Sequence, residues 1–266
     1  MPEIDKSKVS AAFDRAADDY DTMAQFQHQV CERLATMLPA IHPMRILDGG
    51  CGTGYGASLL RRQWPEALVV GCDLAPEMAR KASARGIVTV CGDLECLPFA
   101  DASFDIVWSS LALQWCQPAL AYTELQRVLA PGGRLLFSSL GPNTLHELQN
   151  AFAGIDSHRR VLPFTSAQQV EAALTAAGFE RIRIEVEPWI TRHRDFKTLL
   201  ATIRGIGANQ IGGNRRRSMM GKTAWQAAQA RYEALRDQDA LLPATYEVVF
   251  GLAEKLANHD EIYPSS

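Results

Sequence analysis

Residues 46–54 place a glycine-rich turn directly after a short apolar segment, and this feature limits the folds open to the chain more than any other. They read Ile-Leu-Asp-Gly-Gly-Cys-Gly-Thr-Gly, with four glycines in six positions. Glycine allows a positive φ and lets a ligand come close to the backbone, so the cluster predicts a turn under a nucleotide-like ligand. The candidate binding residues of this turn are Asp48, Gly49, Gly50, Gly52 and Gly54.

Short apolar segments alternate with segments of helical spacing. Strands are predicted at residues 44–48, 68–73, 87–91, 104–109, 134–139, 182–186 and 245–252. Two helices are predicted within residues 7–38, and further helices lie between the strands. Near-continuous apolar strands that alternate with helices are typical of a parallel sheet covered on both faces. The sequence therefore predicts an α/β fold.

The chain is predicted to form one domain over residues 1–266. We assign residues 1–40 to N-terminal helices over the ligand site, 41–188 to the core, 189–242 to an inserted lid and 243–266 to the last strand and tail. The insertion is assigned because about fifty residues separate the last two predicted strands, far more than a usual connection.

Composition places the chain among globular enzymes. Hydrophobic residues make up 47% and charged residues 21%, and the six cysteines show no Cys-x-x-Cys spacing. Scattered thiols suit a reducing cytosol, and the sequence shows neither an apolar leader core nor a run of about 20 apolar residues. We therefore expect a cytoplasmic protein that does not bind a membrane.

Charge is distributed unevenly along the chain. The net charge is −3, yet residues 189–236 hold ten basic and two acidic side chains, a segment that we call the basic island. A basic island on an acidic protein favours a negatively charged partner. Charge alone would attract an acidic protein and RNA equally.

Carboxylates follow two further strands, at the sheet edge where ligands of such folds bind. Asp73 ends the second strand, about 20 residues after the glycine turn, where an acidic side chain accepts hydrogen bonds from ribose hydroxyls. Asp93 follows the third strand, where a carboxylate can meet an adenine amino group. Four neighbouring positions complete the predicted site: Leu74, Met78, Leu94 and Ser109.

The spacing Asp48-x-Gly50-x-Gly52-x-Gly54 resembles the first motif of class I S-adenosylmethionine-dependent methyltransferases. A dinucleotide enzyme is the alternative, since Gly52-x-Gly54-x-x-Ala57 also satisfies the degenerate dinucleotide fingerprint. Asp93 and the Pro-Gly-Gly turn at 131–133 favour the methyltransferase, and only one mononucleotide-binding half is visible.

Over nearly its whole length the chain is similar to the malonyl-acyl carrier protein O-methyltransferases of biotin synthesis. The matching segments are residues 13–20, 48–54, 92–99, 113–116, 131–133, 204–209 and 242–247. Segments 113–116 and 204–209 are more specific to this family than the central motifs, which many small-molecule methyltransferases share. One departure is Gly49, where many members carry a bulkier apolar residue. The resemblance implies a Rossmann-like class I fold, a mostly parallel seven-stranded sheet with a helical lid insertion, and S-adenosyl-L-methionine as cofactor.

The resemblance also implies a reaction and a partner. The free carboxylate of a malonyl thioester on acyl carrier protein would be methylated early in biotin (pimeloyl) synthesis. A carboxylate is ionised at neutral pH, so we assign no catalytic base. We predict no metal site either, because His28, His146, His158 and His193 lack metal-ligand spacing and are assigned structural roles.

Several side chains receive roles from this resemblance. Tyr20 would close over the methionine end of the cofactor, and Arg15 would pair with the cofactor carboxylate. Trp115 would face the substrate, and Arg204 would hold its carboxylate or the carrier. Arg215, Arg216 and Arg217 would meet the acidic carrier protein. An ordinary surface or core role stays open for each of these residues.

Three other functions stay open at this point. A small-molecule methyltransferase acting on a quinone precursor or another lipid-like acceptor would share every cofactor motif. An RNA methyltransferase is suggested by the basic island alone, without a base-methylation motif of the Asn-Pro-Pro-Tyr type. A non-catalytic module that binds S-adenosylmethionine is the third.

Overall fold

The computed structural model describes residues 4–155, 161–205 and 221–257. The α-helices are α1 (Lys6–Ala16), α2 (Tyr20–Met23), α3 (Gln25–Ala35), α4 (Tyr55–Gln63), α5 (Pro76–Ala84), α6 (Pro118–Val128), α7 (His146–Phe152), α8 (Ala167–Ala176), α9 (Phe196–Gly205) and α10 (Lys222–Glu233). The strands are β1 (Arg45–Gly49), β2 (Leu68–Asp73), β3 (Val88–Cys91), β4 (Phe104–Ser110), β5 (Leu129–Leu140), β6 (Glu180–His193) and β7 (Leu242–Glu254). Within the described ranges, no helix combines the length and apolar character that a membrane span requires.

The strands form one seven-stranded sheet in the order β3-β2-β1-β4-β5-β7-β6. Strands β1 to β5 pair in parallel, and β7 runs antiparallel to both β5 and β6. The prediction of a mostly parallel, seven-stranded α/β sheet is therefore confirmed. The strand order reverses between β1 and β4, and ligands of such sheets bind beyond the carboxyl ends of the strands at this point.

Apolar side chains cover both faces of the sheet. Ile46 and Leu47 are adjacent in β1 and point to opposite faces, and both are completely buried. Ile46 belongs to a core with α3 and α4, whereas Leu47 belongs to a core with α6 and α8. This packing explains why the central strands lack polar alternation.

Helix boundaries follow local capping signals. Pro76 occupies the first turn of α5, where its missing N–H costs nothing. Ser166 caps α8 through its side chain, and Gln169 bonds back to the Ser166 backbone in a capping box. Gly178 follows α8 with a φ of +87°, a conformation that glycine adopts without strain.

β6 and β7 are longer than the sequence predicts. β6 continues past residue 186 to His193, and β7 begins at Leu242, its partner in the ladder. Pro188 makes this continuation hard to predict from the sequence, because proline is tolerated in a strand mainly at a sheet edge. β6 is such an edge strand. The strand therefore occupies the start of the segment that we assigned to the insertion.

The inserted helices are held by aromatic packing. The ring centroid of Phe196 in α9 lies 5.7 Å from that of Trp225 and 5.2 Å from that of Tyr232 in α10. Phe152 of α7 lies 6.0 Å from Trp225, and the Tyr232 hydroxyl donates to the Pro243 carbonyl at 2.7 Å. α9 also contacts α2, so the insertion lies beside the N-terminal helices.

Candidate active site

A cleft opens at the carboxyl ends of β1, β2 and β4 and holds about 650 Å³ of empty space, its open mouth included. We call it the main cleft. α1 and the start of α2 cover one side, and the glycine turn and the loops after β2, β3 and β4 form the other. Nine predicted site residues line it: Tyr20, Gly50, Gly52, Asp73, Leu74, Met78, Asp93, Leu94 and Trp115.

The glycine turn has the backbone conformation that its composition predicts. Gly50, Gly52 and Gly54 have φ values of +73°, +53° and +89°. A Cβ atom on Gly50 would lie 2.2 Å from the Cβ of Ala112, so no side chain fits there. The Gly50 N–H donates to the Cys72 carbonyl at 2.7 Å, which ties the turn to the end of β2. The positive φ values of the turn therefore favour glycine at these three positions.

Asp73 is held in place by two backbone groups. Its Oδ2 accepts from the Gly52 N–H and its Oδ1 from the Ala75 N–H, both at 2.8 Å. Burial raises the pKa of Asp73 to about 6. Asp73 lines the main cleft, and a carboxylate oxygen that accepts one hydrogen bond can accept another, so this carboxylate can accept hydrogen bonds from a ligand.

Lys6 joins α1 to the loop after β3, a contact that the sequence did not predict. Its Nζ lies 2.5 Å from Asp93 Oδ1 and 2.8 Å from Glu95 Oε1. Asp93 Oδ1 also accepts from the Glu95 N–H at 2.9 Å. Donor atoms of Asp93, Glu95 and Cys116 lie within 4.8 Å of one another, and Lys6 supplies a positive charge beside them. Asp93 itself lines the main cleft.

Further polar contacts hold the N-terminal helices over the main cleft. Asp14 Oδ1 accepts from the Glu77 N–H at 2.9 Å, at the first turn of α5. Asp21 in α2 accepts from the Thr53 hydroxyl at 2.6 Å and pairs with Arg85. These contacts join the N-terminal helices to the glycine turn and to both ends of α5, so these helices form a wall of the site.

A second space adjoins the main cleft on the side of α3 and contains about 410 Å³, its open part included. We call it the side chamber. Tyr20, Gly50, Gly52 and Ser110 line both spaces. Asp48 lies in the side chamber with 2% of its surface exposed, and burial raises the pKa of its carboxyl to about 7. The predicted binding residue Asp48 is therefore next to the main cleft rather than in it.

Comparison with known proteins connects these features to one family. Residues 47–137 match the family model described as a methyltransferase domain. The chain is 62% identical over 260 residues to the malonyl-[acyl-carrier protein] O-methyltransferase of Herminiimonas arsenicoxydans, and the match covers 98% of this chain and 100% of that one. This chain belongs to the malonyl-[acyl-carrier protein] O-methyltransferase family. The methyltransferase of the same name from Dechloromonas aromatica (strain RCB) is 45% identical over 94% of this chain and 95% of that one.

Solved structures share the fold of this methyltransferase. The YcgJ protein of Bacillus subtilis has a TM-score of 0.60 at 18% identity and covers 87% of this chain and 100% of its own. A SAM-dependent methyltransferase from Thermotoga maritima has a TM-score of 0.55 at 17% identity, covering 92% of this chain and 99% of that one. The predictions of the family, the fold, the methyltransferase class and the S-adenosylmethionine cofactor are confirmed.

The main cleft of the methyltransferase suits this cofactor. Asp73 offers two oriented acceptor oxygens at the end of β2. A Cβ atom on Gly52 would meet no atom within 4 Å, so open space lies directly over the glycine turn. A nucleoside with vicinal hydroxyls matches both features, because the hydroxyls can donate to Asp73 while the rest of the ligand lies over the turn.

Besides Asp48, four further predicted cofactor residues lie outside the lining of the main cleft. A Cβ atom on Gly49 would lie 2.9 Å from Leu94 Cδ2, so Leu94 fills the space that a side chain at position 49 would take. Gly54 precedes α4 and packs on Ala82. Ser109 is completely buried, and its neighbour Ser110 lines the main cleft instead. Arg15 is exposed in α1.

The predicted substrate residues fall into two groups. Trp115 lines the main cleft, and its ring meets that of Phe13 edge-on with centroids 5.9 Å apart. It therefore packs beside the predicted cofactor residues. The Arg204 side chain and Arg215, Arg216 and Arg217 lie outside the described residues.

The basic island of this methyltransferase is partly neutralised within the described residues. Arg192 pairs with Asp237 at 2.9 Å, and Arg236 pairs with Glu233 at 2.6 Å. Asp237 follows the island directly in the sequence. Because Glu233 is already counted within the island, only the pair with Asp237 lowers the charge that the described part of the island presents.

Proposed function

We propose that the chain transfers the methyl group of S-adenosylmethionine to the free carboxylate of a malonyl thioester on acyl carrier protein. The product is the methyl ester, at an early step of biotin (pimeloyl) synthesis. The observation that carries this proposal is the 62% identity to the Herminiimonas arsenicoxydans malonyl-[acyl-carrier protein] O-methyltransferase over essentially both chains.

The cofactor side of the reaction rests on binding and orientation. When bound, S-adenosylmethionine supplies a methyl group activated by a positively charged sulfur. Asp73 accepts from the ribose hydroxyls, the glycine turn supports the chain beyond the ribose, and Asp93 Oδ2 accepts from the adenine amino group. Met78 and Leu94 provide apolar contact for the adenine.

The acceptor side needs no proton transfer. The malonyl carboxylate is ionised at neutral pH, so its oxygen can attack directly once it is aligned and water is excluded. α1 contributes to this exclusion, because Phe13 packs against Trp115 at the wall of the main cleft. No side chain is assigned as a general base.

The insertion supplies the proposed carboxylate and carrier contacts. Arg204 lies in the last turn of α9, and α9 contacts α2 beside the main cleft. A guanidinium there could hold the acceptor carboxylate in a planar, bidentate contact. Arg215, Arg216 and Arg217 would meet the acidic surface of the carrier protein. Residues 189–242 thus serve as a substrate lid, shortened by the end of β6.

Mass spectrometry of malonyl-acyl carrier protein, incubated with the protein and S-adenosylmethionine, tests this proposal. We expect a gain of one methyl group that is lost when the ester is hydrolysed. No gain, in a preparation shown to bind S-adenosylhomocysteine, would contradict the acceptor and leave the cofactor assignment intact.

A further inference from the structure

One stripe of α1 carries polar side chains that contact the loops around the main cleft. Lys6, Ser10 and Asp14 follow one another at intervals of four residues, so they lie on the same side of the helix. Ser10 donates to the Leu74 carbonyl at 3.2 Å, after β2, and Asp14 accepts from the Glu77 N–H in the first turn of α5. Lys6 reaches the loop after β3 and brings a full positive charge to it.

The Lys6 ammonium group lies between two carboxylates. Its Nζ is 2.5 Å from Asp93 Oδ1 and 2.8 Å from Glu95 Oε1. The same two oxygens accept from backbone groups, Asp93 Oδ1 from the Glu95 N–H at 2.9 Å and Glu95 Oε1 from the Gln117 N–H at 2.6 Å. The Lys6 side chain is 23% exposed and that of Glu95 13%, so this group is sheltered from water more than a surface ion pair is. Within the described ranges, Lys6 is the cation that pairs with both carboxylates.

The charge at this end of the main cleft is set by Lys6, Asp93 and Glu95. Lys6, Asp93 and Cys116 line the main cleft, and Glu95 lies outside that lining. Two thiols also lie near the carboxylates, Cys116 before α6 and Cys72 in β2. Burial raises the pKa of both thiols to about 12, so they are neutral at ordinary pH.

The protonation state of Asp93 decides which base it can recognise. An ionised carboxylate only accepts hydrogen bonds, whereas a protonated one also donates. The 6-amino group of adenine is a donor, and the 6-oxo group of guanine or hypoxanthine is an acceptor. Two adjacent carboxylates without a counter-charge tend to share one proton, and a positive charge beside both favours the ionised forms. The position of Lys6 therefore bears on the choice of base.

We infer that Lys6 is a positioning residue that makes the site selective for a 6-aminopurine. It keeps Asp93 and Glu95 ionised together, fixes the Asp93 carboxylate, and joins α1 to the part of the main cleft that takes the base. Lys6 acts through Asp93 and is not itself assigned a contact with the reacting atoms. The inference rests on the placement of adenine at Asp93 under the proposed function and is independent of the acceptor.

Calorimetry with S-adenosylhomocysteine and S-inosylhomocysteine tests this role, because the two ligands carry an amino and an oxo group at the same position of the base. The unmodified protein should bind S-adenosylhomocysteine at least about tenfold more tightly, since an oxo group leaves the acceptor at Asp93 without a partner. Lys6→Met removes the charge and keeps an unbranched side chain. It should weaken S-adenosylhomocysteine binding about tenfold and leave S-inosylhomocysteine binding within about twofold, so the selectivity is lost.

The ratio of the two affinities is the decisive quantity, because contributions that both ligands share cancel in it. Lys8→Met is the matched control: Lys8 lies in the same turn of α1, its side chain is 67% exposed, and its replacement should leave the ratio unchanged. Lys6→Arg retains the charge and should keep most of the selectivity. In Lys6→Met the ratio should fall further from pH 8 to pH 6, whereas in the unmodified protein it should stay constant.

A second carboxylate variant separates the effect of charge from an effect on structure. Glu95→Gln removes one carboxylate and keeps an oxygen for the Gln117 N–H. In combination with Lys6→Met it should recover much of the selectivity, because Asp93 then has no adjacent carboxylate with which to share a proton. Lys6→Gln should lose selectivity as Lys6→Met does, and it covers the case in which Lys6→Met does not fold.

Equal weakening of both ligands by Lys6→Met and Lys6→Gln would overturn the inference, because Lys6 would then only hold α1 in place. An unchanged ratio in these variants would overturn it as well. A different failure would be seen in the unmodified protein: binding of both ligands with equal affinity would contradict the placement of adenine at Asp93 and remove the basis of the inference with it.

Discussion

The two halves of this molecule are specified in different ways. The cofactor half comprises β1 to β4 with α1 to α5, and backbone constraints shape it: glycines at positive φ and carboxylates held by N–H groups. The insertion half, residues 189–242, comprises the end of β6 with α9 and α10, and ring packing and surface ion pairs hold its described residues. The difference suggests that the cofactor half tolerates little change, whereas the insertion half can vary with the acceptor.

Gly50 and Gly52 provide the strongest test of the backbone constraint. Gly50→Ala should lower the free energy of unfolding by about 3 kcal/mol, because a positive φ and a clash with Ala112 act together. Gly52→Ala meets no neighbouring atom and should cost about 1 kcal/mol. Urea unfolding measures both. Equal losses would show that packing at Gly50 does not matter.

The Gly52→Ala variant also distinguishes an effect on folding from an effect on cofactor binding. The Cβ atom of Gly52→Ala would stand in the open space over the glycine turn, so this variant should fold and yet bind S-adenosylhomocysteine poorly. Calorimetry on the folded variant checks this. Unchanged affinity would place the ligand away from the turn.

Asp73→Ala should weaken S-adenosylhomocysteine binding by about 100-fold, because two ribose hydroxyls lose their acceptors in a buried site. Asp73→Asn is the matched control and should lose less, since its amide keeps one acceptor oxygen. Calorimetry is the measurement. An unchanged dissociation constant for Asp73→Ala would refute the ribose role and with it the placement of the cofactor.

The pH dependence of cofactor binding should reflect the ionisation of Asp48 and Asp73. Burial raises the pKa of Asp48 to about 7 and that of Asp73 to about 6, and we expect cofactor binding to require both groups in the ionised form. Affinity for S-adenosylhomocysteine should therefore rise by about tenfold or more from pH 5.5 to pH 8 and then level off. 5′-Methylthioadenosine lacks the amino-acid end of S-adenosylhomocysteine, and we expect it to show the smaller change. An equal pH dependence for both ligands would contradict the role of Asp48.

The same two pKa values predict the sign of the stability change. The folded protein binds more protons than the unfolded chain between the ordinary aspartate pKa of 3.8 and these raised values. The contribution of these groups to stability therefore falls as the pH rises from about 4 to about 7. Asp48→Asn should weaken this dependence in urea titrations of the free protein. A steeper fall in the variant would show that other groups dominate.

Changes in the insertion half should have the smallest effect and should touch the acceptor alone. Replacing Arg215, Arg216 and Arg217 together by Ala should raise the KM for malonyl-acyl carrier protein a few-fold, and that for a free malonyl thioester less. The remaining activity should depend less on salt, because charge contacts are lost. S-adenosylhomocysteine affinity is the internal control. A change in that affinity would show that the insertion half also affects cofactor binding.

The glycine turn and Asp73 could be predicted because their requirements are local. A positive φ needs glycine wherever the turn occurs, and a carboxylate at the end of β2 faces the ligand edge through strand geometry alone. Lys6 reaches Asp93 across 87 positions of sequence, and its place depends on how α1 packs over the sheet. No periodic pattern in α1 carries that information.

The positions of His28 and Arg15 also could not be predicted from the sequence. Arg15 has the right charge for a cofactor carboxylate, but the rotation of α1 leaves it exposed, whereas α3 turns His28 into the side chamber. The start of α3 reads Gln-Phe-Gln-His-Gln, and nothing in this run distinguishes His28 from its polar neighbours.

Transfer of a labelled methyl group to matched carrier-bound acceptors tests the central claim most directly. The protein would be incubated with methyl-labelled S-adenosylmethionine and either malonyl- or acetyl-acyl carrier protein, which differ by the free carboxylate. Label should appear in malonyl-acyl carrier protein alone, be released by mild alkali, and fall sharply with Asp73→Ala. Equal labelling of both carriers, or none in a protein that binds S-adenosylhomocysteine, would contradict methylation of the malonyl carboxylate.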